Sequence, residues 1–191
     1  HRGEESAGIV YSDGVTLTCE KAMGLVCDVF NKKMIKEMKG HAAIGHVRYS
    51  TSGCSEVKNA QPLLSKSKLG DIAIAHNGNL VNAEVIRELL EDCGYMFQTS
   101  IDSEVILNLI ARGAKRGVEK AIVDAIQAVK GSYGIVMLTK DKLIGVRDQN
   151  GIRPLCIGTI GNSYVIASES CALDAVGADF LRDVKPDEIV I

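Results

Sequence analysis

Apolar and polar residues alternate in short runs near both ends of the chain, and apolar residues recur every three to four positions in its middle. Alternation predicts half-buried β-strands, and the longer period predicts amphipathic helices. The alternating runs predict strands over residues 8–11, 15–17, 43–49, 72–75, 133–139, 143–147, 155–158, 164–167 and 188–191. The helical runs predict helices over residues 31–39, 82–94, 102–112 and 118–130.

The helix near residue 82 carries the clearest boundary signals. Asn82 can cap its first turn and Gly94 can end it, because these residue types are favoured at those positions. Its apolar face would consist of Val85, Ile86, Leu89, Leu90 and Cys93.

The order of elements, strands then helices then strands, is not the alternation that builds a parallel sheet. It fits antiparallel sheets packed against helices, so the predicted fold class is α+β. The chain has no internal linker or repeat, and residues 1–191 fit one domain. Both ends are expected to be truncated, because no strand precedes His1 and the last strand stops without a turn.

Composition and charge narrow the class of protein. The 22 basic and 24 acidic residues leave a net charge of −2, whereas a nucleic-acid surface normally shows a strong basic excess. No apolar run approaches the ~20 residues that cross a bilayer, and no charged-then-apolar leader opens the chain. We therefore expect a soluble, cytoplasmic protein that binds neither nucleic acid nor membranes.

A metal site is not expected. The six cysteines form no CxxC pair, and the four histidines lie on different predicted segments without the spacing of metal ligands. Cysteines inside apolar runs, such as Cys156, are expected to pack as small hydrophobic residues.

The segment Ala-His-Asn-Gly-Asn-Leu at residues 75–80 can serve two purposes. Asn77-Gly78 is a favoured pair for a type I′ hairpin turn, because both residues tolerate positive φ. The same pair could form an oxyanion hole, in which the Asn77 amide and the Gly78 N–H point at one developing negative charge. Turn chemistry alone favours the hairpin.

Arg48 and Asp102 also have two interpretations each. Arg48 ends a predicted strand, where it is either a surface side chain or a two-pronged ligand for a carboxylate. Asp102 begins a predicted helix, where it is either an N-cap or an acceptor for an ammonium group. Together with Asn77 and Gly78, they describe a site for an α-amino acid whose side-chain carbonyl is attacked.

Seven segments carry a resemblance to a known family. They are residues 1–10 (His-Arg-Gly-Glu-Glu-Ser-Ala-Gly-Ile-Val), 45–51 (Gly-His-Val-Arg-Tyr-Ser-Thr), 59–62 (Asn-Ala-Gln-Pro), 75–80, 102–104 (Asp-Ser-Glu), 147–155 (Arg-Asp-Gln-Asn-Gly-Ile-Arg-Pro-Leu) and 167–174 (Ala-Ser-Glu-Ser-Cys-Ala-Leu-Asp). On these segments the chain resembles the glutaminase domain of the glutamine phosphoribosylpyrophosphate amidotransferases (amidophosphoribosyltransferases). This family of N-terminal-nucleophile amidotransferases catalyses the first committed step of purine synthesis.

The resemblance implies a four-layer αββα sandwich, in which two stacked antiparallel sheets lie between helical layers. It also implies that an N-terminal cysteine attacks the glutamine amide, with its own α-amino group as base, and that the ammonia serves phosphoribosylamine synthesis. By residue matching, Arg48 would bind the α-carboxylate of glutamine and Asp102 its α-ammonium group. Asn77 and Gly78 would form the oxyanion hole, and Arg2 would support the nucleophile.

Two features depart from the family pattern. The family begins with a cysteine-led strand before His-Arg-Gly, whereas this chain opens on His1 and has no cysteine before Cys19. The family also has Gln where this chain has Glu4. The favoured interpretation is a glutaminase domain that lacks its first, nucleophile-bearing strand, and the 191 residues alone are expected to be inactive. The alternative is a glutamine-binding or interaction module without catalysis.

The resemblance also implies partners for the domain. Glutamine would be its substrate, and the parent protein would add a phosphoribosyltransferase domain, which is absent here, and would form a homo-oligomer. No cofactor is implied in the present domain, whereas the parent enzyme would use Mg²⁺ and, in some members, an iron–sulfur cluster held outside this region.

Overall fold

The computed structural model describes residues 5–49 and 56–191 of the chain. Its strands are β1 (Ser6–Ser12), β2 (Leu17–Met23), β3 (Ala42–Arg48), β4 (Leu63–Ser67), β5 (Gly70–Leu80), β6 (Gly131–Leu138), β7 (Leu143–Arg147), β8 (Cys156–Ile160), β9 (Ser163–Ala167), β10 (Asp179–Asp183) and β11 (Ile189–Val190). Its helices are α1 (Val26–Val29), α2 (Lys32–Glu37), α3 (Ala83–Asp92), α4 (Ser103–Arg112), α5 (Val118–Ala128) and α6 (Ser170–Val176). Among these helices, none is long and apolar enough to cross a membrane.

The strands form three sheets in which every pairing is antiparallel. The strand order is β2-β1-β3 in the first sheet, β11-β7-β6-β5-β4 in the second and β10-β8-β9 in the third. The α+β class predicted from the element order is therefore confirmed.

Helices cover one face of the second sheet. The buried side chains of α4 and α5 meet those that β5, β6 and β7 direct to this face, as alternation along a strand requires. The resulting core includes Ile72, Ile74, Ile106, Ile110, Ile122, Ile126, Ile135, Met137, Ile144 and Val146.

The opposite face of the second sheet is covered by the two smaller sheets. Val10 and Ile44 of the first sheet pack against Ala73 and Ala75 of β5. Val136 of β6 contacts this cluster and also the cluster that includes β8. The first and third sheets therefore lie side by side on this face, while α1 contacts β1 and β2.

Most predicted elements are present, but several elements of the structure have no counterpart in the prediction. No strand is predicted between residues 49 and 72, yet β4 lies there and pairs with β5 from Leu63–Ile74 to Ser67–Gly70. The helices α1 and α6 and the strand β10 were also not predicted. Val15, predicted in a strand, lies in a turn where the Asp13 carboxylate accepts its N–H at 2.8 Å.

Helix α3 has nearly the predicted bounds but not the predicted cap. The Asn82 side chain accepts the N–H of Lys130 at 2.8 Å and donates to the carbonyl of Ala128 at 3.0 Å, so it ties the start of α3 to the end of α5 and the residue before β6 instead. Leu90 is buried, but three of the five residues of the predicted apolar face are exposed, namely Val85, Leu89 and Cys93.

Candidate functional site

Asn77 and Gly78 lie inside strand β5, not in a turn. Asn77 pairs with Gly134 and Gly78 with Tyr133 of β6, so the hairpin interpretation is wrong. The φ of Gly78 is +149°, and a Cβ at this position would collide with the carbonyl oxygen of Ser132 and lie 2.8 Å from the Cα of Tyr133. Glycine is needed here because β6 approaches closely, and pairing with a distant strand overrides the local turn preference.

The backbone N–H of Gly78 points to the edge of β5 that faces away from β6. In an antiparallel pair, opposed residues alternate between pairs that exchange hydrogen bonds and pairs that do not. Tyr133, which opposes Gly78, donates its N–H to Asp148 Oδ2 (3.4 Å) and accepts the Asp148 N–H (2.9 Å). The Gly78 N–H therefore has no acceptor on β6, and none of the residues that the structure describes accepts it.

The neighbouring positions on this edge of β5 are both occupied. His76 donates its N–H to Gln61 Oε1 at 2.7 Å and accepts from Gln61 Nε2 at 3.2 Å. Leu80 donates its N–H to Asp102 Oδ2 at 3.0 Å. With respect to residues 5–49 and 56–191, the Gly78 N–H is thus an open donor between the amide of Gln61 and the carboxylate of Asp102.

The side chain of Asn77 lies on the face of β5 that packs against the first sheet. Alternation along the strand gives it the same face as Ala73 and Ala75, which are buried between the sheets. The Asn77 side chain is half-buried and makes no hydrogen bond within residues 5–49 and 56–191. An amide donor is therefore available next to the Gly78 N–H.

His46 lies on the inner face of β3 and contacts β5 directly. Its Nδ1 is buried and has no hydrogen-bond partner among the described residues. Burial, reinforced by the His76 ring and by Arg48, lowers the pKa of His46 to about 4. The His46 ring is therefore neutral at physiological pH.

Arg48 follows two residues later on the same face of β3. Its side chain is buried, with 6% of the residue exposed, so the interpretation as a surface side chain is wrong. Arg48 Nη1 lies 3.3 Å from Oε1 of Glu5, which immediately precedes β1. The ion pair fixes the guanidinium at the end of the first sheet, close to the strand that carries Asn77.

Asp102 immediately precedes α4, but its carboxylate does not cap this helix. Oδ2 accepts the Leu80 N–H, and Oδ1 lies 3.3 Å from Nδ1 of His76, which is also 3.3 Å from the Ser103 hydroxyl. Burial favours the neutral acid, but the hydrogen bonds from His76 and Leu80 outweigh it and lower the pKa of Asp102. The carboxylate is therefore ionised at neutral pH and is anchored at the end of β5.

A family model described as a glutamine amidotransferase domain matches residues 46–175, a range that includes Arg48, Asn77, Gly78 and Asp102. The chain belongs to this family.

Curated relatives of this glutamine amidotransferase domain are longer than the chain. It is 47% identical over 192 residues to the amidophosphoribosyltransferase of Bacillus subtilis, covering 100% of this chain and 40% of the relative. It is also 47% identical over 195 residues to that of Archaeoglobus fulgidus, covering 100% of this chain and 42% of the relative. The chain thus spans about two fifths of the length of these relatives.

A solved structure shows the same fold. The glutamine phosphoribosylpyrophosphate amidotransferase from B. subtilis, complexed with ADP and GMP, matches with a TM-score of 0.92 and 46% identity over 99% of this chain and 41% of that chain. This match confirms the four-layer αββα sandwich of the N-terminal-nucleophile amidotransferases.

The segment 147–155 of the glutamine amidotransferase domain forms a tightly bonded loop. Arg147 donates to three backbone carbonyls, those of Gly151, Arg153 and Val184. Burial opposes ionisation of Asp148, but the backbone N–H groups that it accepts outweigh this effect and lower its pKa. One of these is the N–H of Tyr133, so the loop extends the contact between β6 and β7 by one residue beyond Gly134 and Arg147.

Reasoning from residue types missed the roles of Asn59 and Gln61. Both are buried, and both use a side-chain amide to bridge elements that carry the site. The Asn-Ala-Gln-Pro segment supported the resemblance only, and nothing in its spacing indicates what the two amides bind. Arg2, assigned to the nucleophile's surroundings, and Glu4 lie outside the described residues. Within the described ranges, no three His, Cys, Asp or Glu residues are grouped so as to hold a metal ion.

Proposed function

We propose that the domain binds glutamine and hydrolyses its side-chain amide to glutamate and ammonia. The observation that supports this most directly is the open Gly78 N–H beside the unengaged Asn77 amide on β5. Two donors directed at one point would stabilise the oxyanion that forms in acyl transfer. In the interior of a regular sheet, a backbone N–H of this kind would donate to a carbonyl of the next strand.

In the same proposal, Arg48 and Asp102 bind the α-amino-acid end of glutamine. The guanidinium of Arg48 would pair with the α-carboxylate of glutamine in a two-point contact. The ionised Asp102 carboxylate would accept from the α-ammonium group. Leu80, which anchors Asp102, lies two residues beyond Gly78, or about 7 Å along the strand. The binding and reacting ends of the substrate would therefore lie along one strand edge.

The attacking thiol is proposed to come from a cysteine that precedes residue 1 in the parent protein. Cys19 is a poor candidate, because burial on β2 raises the pKa of its thiol and disfavours the thiolate. The α-amino group of the N-terminal cysteine would take the thiol proton as sulfur attacks the amide carbon. The resulting α-ammonium group would return this proton to the amide nitrogen, so that the C–N bond breaks, ammonia leaves and a thioester remains, from which water releases glutamate. Arg2 is proposed to support this nucleophile.

For the whole protein we propose an amidophosphoribosyltransferase. In it, residues 1–191 would form the glutaminase domain, and ammonia would pass to a phosphoribosyltransferase domain that makes phosphoribosylamine from phosphoribosylpyrophosphate. This proposal is supported by two relatives of that name, to which the chain is similar over its whole length. A cytoplasmic homo-oligomer is proposed, with any Mg²⁺ or iron–sulfur cluster held outside this domain.

The test is Asn77→Asp in the full-length parent protein, with Asn79→Asp as the matched control. Asp at position 77 removes a donor and adds repulsion toward the oxyanion, so glutamine hydrolysis should fall by about 10²–10³-fold with an unchanged thermal midpoint. Asn79 is exposed on the same strand, so its variant should retain the rate. A near-normal rate for Asn77→Asp would contradict the proposed site. An inactive wild-type protein that still binds glutamine would favour the interpretation as a binding module.

A further inference from the structure

Gln61 replaces a segment of main chain at the edge of β5. The β4–β5 register begins with Leu63 opposite Ile74, so a continued strand would place residue 61 opposite His76. Instead the side-chain amide of Gln61 makes both bonds to His76, accepting its N–H at 2.7 Å and donating to its carbonyl at 3.2 Å. The main chain at residue 61 lies against the first sheet, since its carbonyl oxygen fills the space of a Cβ on Gly8.

We propose that Gln61 is a positioning residue that ends the β4–β5 ladder at His76 and so leaves the Gly78 N–H open for the oxyanion. This inference rests on the proposed glutamine hydrolysis. By the same register, residue 59 would oppose Gly78, and a continued β4 would offer a carbonyl to its N–H. Because the side chain of Gln61, and not its backbone, bonds to the N–H and carbonyl of His76, the β4–β5 ladder stops there and no carbonyl of β4 reaches the Gly78 N–H.

Asn59 is held away from Gly78 by bonds of its own. Its Nδ2 donates to the Ser100 hydroxyl at 3.0 Å, and its Oδ1 accepts the Ser100 N–H at 3.1 Å. Between the two amides, the carbonyl of Ala60 accepts from Lys21 Nζ at 2.6 Å. The segment is thus attached to β2, to β5 just before Asn77, and to the loop two residues before Asp102. It fixes the spacing between the two ends of the proposed substrate site.

A positioning role should affect the transition state more than the bound substrate. The oxyanion forms only as the amide is attacked, and a displacement of about 1 Å in a catalytic group can cost about 10²-fold in rate. Removal of the Gln61 amide should therefore lower kcat and leave the KM for glutamine nearly unchanged. A merely structural role would reduce the amount of folded protein and leave the rate per folded active site normal.

The experiment compares Gln61→Met with Asn82→Leu in the full-length protein. Both changes replace a bridging amide by an apolar side chain of similar size, because Asn82 makes the same reciprocal pair of bonds to Ala128 and Lys130. Rates are divided by the fraction of protein labelled at completion by a diazo-ketone analogue of glutamine, which counts folded active sites. We expect about a 10²-fold lower kcat for Gln61→Met, a KM within about threefold of wild type, and a normal kcat for Asn82→Leu.

A kcat per labelled site within about threefold of wild type for Gln61→Met would overturn the inference. Where Gln61→Met yields too little folded protein, Gln61→Glu is judged by the same criterion, since it keeps the oxygen that accepts the His76 N–H. Failure of the proposed function would look different, because the wild-type protein itself would then not hydrolyse glutamine.

Discussion

Gly78→Ala tests whether the oxyanion strand requires the close approach of β6. The φ of Gly78 is +149°, a region that side-chain-bearing residues occupy at a cost of about 1–3 kcal/mol. The added Cβ would also lie 2.8 Å from the Cα of Tyr133 and 2.9 Å from the carbonyl carbon of Ser132. These are backbone atoms and can move only if β6 moves, which adds about 1–3 kcal/mol for overpacking. The expected loss in the free energy of unfolding is therefore about 2–6 kcal/mol.

Gly70→Ala is the matched control, because Gly70 begins the same strand. Its φ is +93°, yet a Cβ there would meet nothing within 4 Å, so only the backbone cost of about 1–3 kcal/mol applies. Urea unfolding of both full-length variants measures the difference, and unchanged m-values would show that two-state comparison is valid. Displacement of the Gly78 N–H should also reduce glutamine hydrolysis by about 10²-fold or more, whereas Gly70→Ala should retain it. Equal stability losses for the two variants, or an active Gly78→Ala, would refute the close-approach explanation.

Three further outcomes are expected. Arg48→Lys should reduce glutamine-dependent turnover of the full-length protein much more than ammonia-dependent turnover, because a compact ammonium cannot form the planar two-point contact; equal losses would make Arg48 structural. The pKa of His46 is lowered to about 4, so only the unfolded chain binds this proton between that pH and about 6.5. Stability should therefore decrease by up to about 3 kcal/mol as the pH falls from 7 to 4, and His46→Gln should show a smaller decrease. Asp148→Asn places an amide among the N–H groups that Asp148 accepts and should cost about 1–3 kcal/mol, seen as a lower urea midpoint.

The elements that could be predicted are those whose burial follows a simple period. Helices α4 and α5 bury one face against a broad sheet, and their apolar residues recur at helical spacing. The strand β4 was missed because only its first residue is fully buried and its second half is polar, so alternation gives no signal there. Asn82 had the residue type of a cap, but Lys130 and Ala128, 48 and 46 residues away, compete for its amide.

The residues of the candidate site could be proposed from their types, but their arrangement in space could not be predicted. Arg48 can be buried because Glu5, which directly precedes the neighbouring strand β1, pairs with it. No pattern within residues 43–49 indicates this ion pair. Asn77-Gly78 was ambiguous because tolerance of positive φ suits both a type I′ turn and a strand that another strand approaches closely. Only the pairing of β5 with β6 decides between them.

Alternation along β5 directs the Gly78 N–H away from β6, and residues distant in sequence decide what lies on the other edge. There the side chains of Gln61 and Asp102 accept the flanking N–H groups of His76 and Leu80, in place of a further strand. An unpaired donor away from water is costly in a folded protein, so an arrangement that satisfies the donors on both sides and leaves this one open among the described residues supports the proposal that a ligand oxygen completes it.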